Sequence, residues 1–165
     1  AARAERLERL FDSGGTVVYC PRASSYFRAH ETLGPHAYRE MLDAGVPVAL
    51  GTDSVVNLPP VHAGAGAQSL PVLSTFDEAR FLFRRDGTKP ETLLAMATTL
   101  GARALGFEPG AFRFERGAPL AGLNAVDLRG GPGDGDDGSI LARALRSESP
   151  VRVLLHSARA EGVGA

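Results

Sequence analysis

The chain has 165 residues, with 18 Lys and Arg against 19 Asp and Glu, a formal net charge of −1 and the two signs interspersed. No basic stripe collects phosphates, and aromatics at 7% are too sparse for a base-stacking platform, which argues against a nucleic-acid partner. No apolar run approaches the ~20 residues that cross a bilayer, no cleavable leader pattern is visible, and a single Cys20 excludes an internal disulfide or a multi-thiolate metal site.

A reducing cytoplasm is the expected compartment. The chain opens without Met in what reads as mid-helix and closes on a Gly/Ala-rich tail, so a piece of a longer protein is expected.

In chain order, residues 2–11 (ARAERLERLF) place Ala4, Leu7, Leu10 and Phe11 at helical spacing, and Gly14 and Gly15 stop the helix. Residues 16–20 (TVVYC) are β-branched and aromatic and end at Pro21, which predicts a short buried strand. Residues 22–34 read as a polar loop. Pro35 opens a second helix with Tyr38, Met41 and Leu42 facing inward, and Gly45 closes it.

Residues 46–54 (VPVALGTDS) are the centre of the chain. Val46, Val48, Ala49 and Leu50 are apolar at near-consecutive positions, as suits a parallel strand covered on both faces, and they run into Gly51-Thr52-Asp53-Ser54. Strand, loop, helix and strand over 16–53 make a βαβ unit, expected to be parallel, with both strand ends opening on one side. In such folds chemistry collects at the carboxyl ends of the strands. Asp53 is then either a carboxylate presented in a cleft or a residue that caps the next turn through its own backbone.

Residues 55–73 form a stretch long enough to serve as a site-covering loop. Thr75 and Glu78 have capping-box spacing ahead of a helix that ends near Asp86-Gly87, and Thr88 with Glu91 repeats the device around Pro90. That second helix runs through Leu93, Leu94, Met96 and Ala97 to a break at Thr98-Thr99 and a last turn to Leu105. Residues 111–115 and 120–128 suit small β-strands, 129–139 (RGGPGDGDDGS) a linker, 140–145 a short helix and 151–156 (VRVLLH) a last strand.

His30, His36, His62 and His156 show neither the i, i+2 nor the i, i+4 spacing that aims two imidazoles at one metal, so each reads as a surface or capping residue, with His30 and His62 on loops at the presumed active end. Cys20 reads as a small buried hydrophobe. Arg22 stands at a strand end, where it serves either a polar substrate group or a structural ion pair.

The order LERLFDSGGTVVYCPRASS, YREMLDAGVPVALGTDS, STFDEARFLF and LLAMATTLGARALGF resembles the C-terminal half of metal-dependent amidohydrolases, in the deaminase and chlorohydrolase branch, over about residues 7–128. The resemblance implies an α/β fold: residues 1–105 as the last two strands and helices of a TIM (β/α)8 barrel, with CPRAS and GTDS as its seventh and eighth strands. Segments 106–128 and 151–156 would belong to a small β-sandwich domain, joined by a linker and short helix at 129–150.

It further implies that Asp53 touches a catalytic divalent ion, zinc ahead of iron, and shuttles the proton between attacking water and leaving amine. Ser54 and Arg22 are the candidates for substrate contact. The family's paired histidines and catalytic glutamate lie upstream of anything present, and none of the four histidines here stands in a matching position. The missing N-terminal part of the barrel is thus the expected partner, a homo-oligomer is compatible, and the chain alone is expected to be inactive. The implied reaction is deamination of an amino-purine, amino-pyrimidine or related nucleoside. The alternatives are hydrolysis of a cyclic amide or imidazolone on the same fold, and a non-catalytic binding module.

Overall fold

The computed structural model describes residues 2–58, 73–108, 115–117, 122–128 and 139–156. Helix α1 (Ala2–Asp12) leads into strand β1 (Val17–Tyr19), and the short helices α2 (Pro21–Tyr26), α3 (Ala29–Leu33) and α4 (Tyr38–Asp43) precede strand β2 (Val48–Leu50). Helices α5 (Thr75–Asp86), α6 (Pro90–Ala97) and α7 (Thr99–Ala104) follow, then β3 (Gly122–Val126), α8 (Ile140–Arg146) and β4 (Val151–His156). Among the described residues no helix is long and apolar enough to cross a membrane.

The fold is mixed α/β with two two-stranded sheets. β1 and β2 pair in parallel, Val17 opposite Val48 and Tyr19 opposite Leu50, as the βαβ reading requires. β2 is buried along its whole length, as consecutive apolar residues predict, but Val18 in β1 is 56% exposed. The expectation of a fully buried first strand is therefore corrected: β1 has one covered side, marked by buried Tyr19, and one open. β3 and β4 pair antiparallel with a bulge between Leu123 and Asn124.

The core joins Tyr19, Tyr38, Val48, Leu50, Ala79, Leu82, Leu93, Met96 and Leu145. Leu145 brings α8 into the same core as α5 and α6. Arg80, itself buried, fastens that helix by donating to the Ala144 and Ser149 carbonyls while pairing with Asp77 at 2.8 Å. The late carbonyls of a helix need such outside donors.

Three local expectations fail for identifiable reasons. Residues 22–34 are not a loop. Pro21 starts α2 at its first position, where a proline loses nothing, and Arg28 at φ 51° turns the chain into α3. The cap of α5 is Ser74, whose hydroxyl accepts from the Asp77 N–H, one residue earlier than the Thr75 predicted. Thr88 caps nothing: it is buried and bonded to the Tyr38 hydroxyl and Arg39. The expected strand at 111–115 and the linker at 129–139 fall largely outside the described residues.

The Tyr38 hydroxyl donates to Asp86 at 2.8 Å, and Arg85 grips the same carboxylate through two contacts of 2.7 Å. The Arg85 hydrogen bonds hold the Asp86 carboxyl below the usual range. A depressed folded value means that the stabilisation is present above the unfolded value and lost as pH falls through the folded one. Asp86→Asn is thus expected to cost about 1–2 kcal/mol at pH 7, and the deficit should shrink below about pH 3. Denaturant midpoints at the two pH values check this; a deficit that ignores pH would show that the charge is irrelevant.

Candidate active site

The ends of β1 and β2 define the site. The Gly51 N–H donates to the Tyr19 carbonyl at 2.9 Å, closing the ladder so that Cys20 and the turn after Gly51 emerge side by side. The close approach requires a glycine: a Cβ at position 51 would lie 2.6 Å from Val18 Cγ1 and 2.9 Å from the Cys20 sulfur. Two residues on, Asp53 takes φ 58°, a left-handed conformation that Asp tolerates better than most side chains. Its side chain is exposed, and the described residues form no ion pair with it.

Its neighbours are few. The Asp53 backbone N–H rests against the Cys20 sulfur, while burial, and then the negative charges of Asp53 and Glu78, push the Cys20 thiol up. The shift runs opposite to the depressed value that marks a reactive thiolate. Asn57 reaches back from a 3-10 turn (Val55–Asn57), its amide nitrogen 3.3 Å from the Thr52 carbonyl and 3.4 Å from Asp53 Oδ2. Sequence reasoning passed over Asn57. Its four-residue spacing from Asp53 in DSVVN is the one signal that could have found it.

Ser54 begins the 3-10 turn, and its hydroxyl accepts from the Val56 N–H. Arg22 lies beside the other strand end in the ion pair that was one of its two readings: its Nε donates to Glu78 Oε1 at 2.6 Å, its backbone N–H to Glu78 Oε2 at 2.9 Å and a terminal nitrogen to the Ser74 carbonyl at 3.4 Å. Glu78 is 0% exposed. Burial pushes its carboxyl up, only partly offset by the Arg22 contacts.

His36 lies flat on Tyr19, centroids 3.8 Å apart, and His30 is on α3 instead of a loop. His62, with residues 59–72 of the expected covering loop, lies outside the described residues. His156 ends β4, in the other sheet.

Among the described residues no group of three His, Cys, Asp or Glu could hold a metal ion. At this strand edge Asp53 has the right chemistry for one ligand: a hard oxygen donor, exposed and without an ion-pair partner among the described residues. It fits a divalent ion as a single contact, and the remaining donors must come from elsewhere.

A parallel strand pair presenting a carboxylate at its carboxyl edge places that group where α/β folds gather their sites. The chain belongs to the Amidohydrolase family, whose pattern matches residues 2–146. Its similar relatives are enzymes named 5-methylthioadenosine/S-adenosylhomocysteine deaminase: 36% identical over 76% of this chain in Halobacterium salinarum, 34% over 74% in Haloarcula marismortui and 29% over 94% in Pyrococcus furiosus. The chain spans 26% of the length of the two haloarchaeal proteins and 32% of the third. No solved structure matches it significantly.

Proposed function

We propose that the chain is the C-terminal part of a (β/α)8-barrel hydrolase that removes the ring amino group of an adenosine-type nucleoside. In this reading residues 1–105 carry the last two barrel strands and their helices. Segments 106–128 and 151–156 contribute to a small β-sandwich, and 129–150 connect them. The upstream part of the barrel supplies the other metal ligands and the catalytic glutamate. The single cysteine suits a reducing compartment such as the cytoplasm.

The observation that carries the reading is the exposed Asp53 carboxylate at the carboxyl end of the buried strand β2, beside the end of β1. The relatives' names suggest the substrate class, purine nucleosides bearing a thioether. Hydrolytic deamination forms a C–O bond from water to the ring carbon, breaks the C–N bond and releases ammonia. A divalent ion, zinc ahead of iron, would supply a water acidified towards ~7. Asp53 would contact that ion, accept the proton the water loses and return it to the departing nitrogen. Ser54 and Arg22 are proposed as substrate contacts, with Arg22 oriented by Glu78.

The test is turnover by the full-length zinc-loaded protein, read as ammonia release from 5′-methylthioadenosine and S-adenosylhomocysteine and as ring opening, by loss of the ring's ultraviolet absorbance, for an imidazolone. Turnover of the two nucleosides is expected. Turnover of the imidazolone alone would replace this reading with cyclic amide hydrolysis, and no turnover of any would leave a binding module.

A further inference from the structure

Asn57 is 6% exposed, yet one of its two side-chain polar atoms has no partner among the described residues. Its amide protons go to the Thr52 carbonyl and to Asp53 Oδ2, so the orientation of the group is settled: reversing it would press its oxygen against two acceptors. Oδ1 is consequently left buried without a donor among the described residues, an arrangement that costs stability.

An asparagine that only closed a turn would gain by satisfying both ends, or by giving way to an apolar side chain. The turn is already closed without it: the Asn57 backbone N–H bonds the Ser54 carbonyl at 3.2 Å and the Leu58 N–H bonds the Val55 carbonyl at 3.1 Å. What the side chain adds is a hold on the left-handed Asp53 and on the carbonyl just before it.

We propose that Asn57 is a positioning residue for Asp53, fixing Oδ2 so that the carboxylate is presented in one orientation to the ion and the water. The inference rests on the role of Asp53 proposed above. Partners that orient a metal-binding group typically carry about 10–100-fold of affinity or activity.

The test is Asn57→Leu in the full-length protein, a near-isosteric change that deletes the donor and the orphaned acceptor together. Expected are a kcat about 10–100-fold lower, an unchanged KM, and zinc affinity in calorimetric titration of the metal-free protein about tenfold weaker, with no fall in melting temperature. A lower melting temperature with zinc affinity and kcat both near wild type would overturn the proposal and leave only a structural asparagine. Should Asn57→Leu fail to fold, Asn57→Ser, whose side chain falls short of Asp53, is read by the same measurements. Asp53→Asn is run in parallel: if it retains activity, the role of Asp53 fails and the positioning role with it. If it is inactive while Asn57→Leu binds zinc and turns over normally, the positioning role alone fails.

Discussion

Asp53→Asn in the full-length protein is expected to lower kcat by about 10³-fold while leaving the fold unchanged, because general acid–base catalysis by one placed group is typically worth 10²–10⁴. Asparagine suits the test for a backbone reason. Position 53 sits at φ 58°, which Asn adopts as readily as Asp, whereas Ala would add strain and confound any loss of activity. The side chain is exposed, so removing its charge disturbs no packing. Asn retains a carbonyl oxygen for the ion but cannot take a proton. Metal content should therefore fall far less than turnover. Ammonia release, metal analysis and thermal melting on the same preparation decide it, and turnover within a few-fold of wild type would remove Asp53 from the mechanism.

The part of the site that was legible in the sequence is the part encoded locally. Consecutive apolar residues before Gly51 announced a strand buried on both faces, and the turn residues after it announced a carboxylate at its end. The parallel pairing with β1 followed from the intervening helix and from chain connectivity. What stayed hidden depends on contacts far apart in sequence. The helix after Pro21 looked like a loop because its first turn is secured by Glu78, 56 residues away. Thr88 mimicked a cap until Tyr38, 50 residues away, claimed its hydroxyl. Ser74 and Thr75 are neighbouring hydroxyls, and only the extended backbone of Ser74 decides which of them caps. Asn57 shows in the sequence only as a four-residue spacing from Asp53, and the 3-10 turn that buries it gives that spacing its meaning.

Glu78→Ala is expected to be the most destabilising of the single changes considered, by about 3–5 kcal/mol, because it leaves a buried guanidinium contact and a helix N–H without their acceptor. Arg22 keeps some access to water at 16% side-chain exposure, which places the loss towards the lower figure. Glu78→Gln keeps the shape but removes the charge and one of the two acceptors, so only one of the two Arg22 donors stays satisfied. Burial raises the Glu78 carboxyl, so its contribution is fullest below the unfolded value and is lost as pH rises through the folded one. Wild type should therefore exceed the Gln variant by more near pH 5 than at pH 7. Denaturant melts of the three proteins at both pH values test this. A gap that widens towards pH 7 would mean that the Arg22 attraction outweighs desolvation. Because Glu78 also anchors the start of α2, next to Cys20 and the amide of Asp53, the Ala variant should lose activity beyond what its stability explains, while the Gln variant, which still reaches Arg22, should retain most of it.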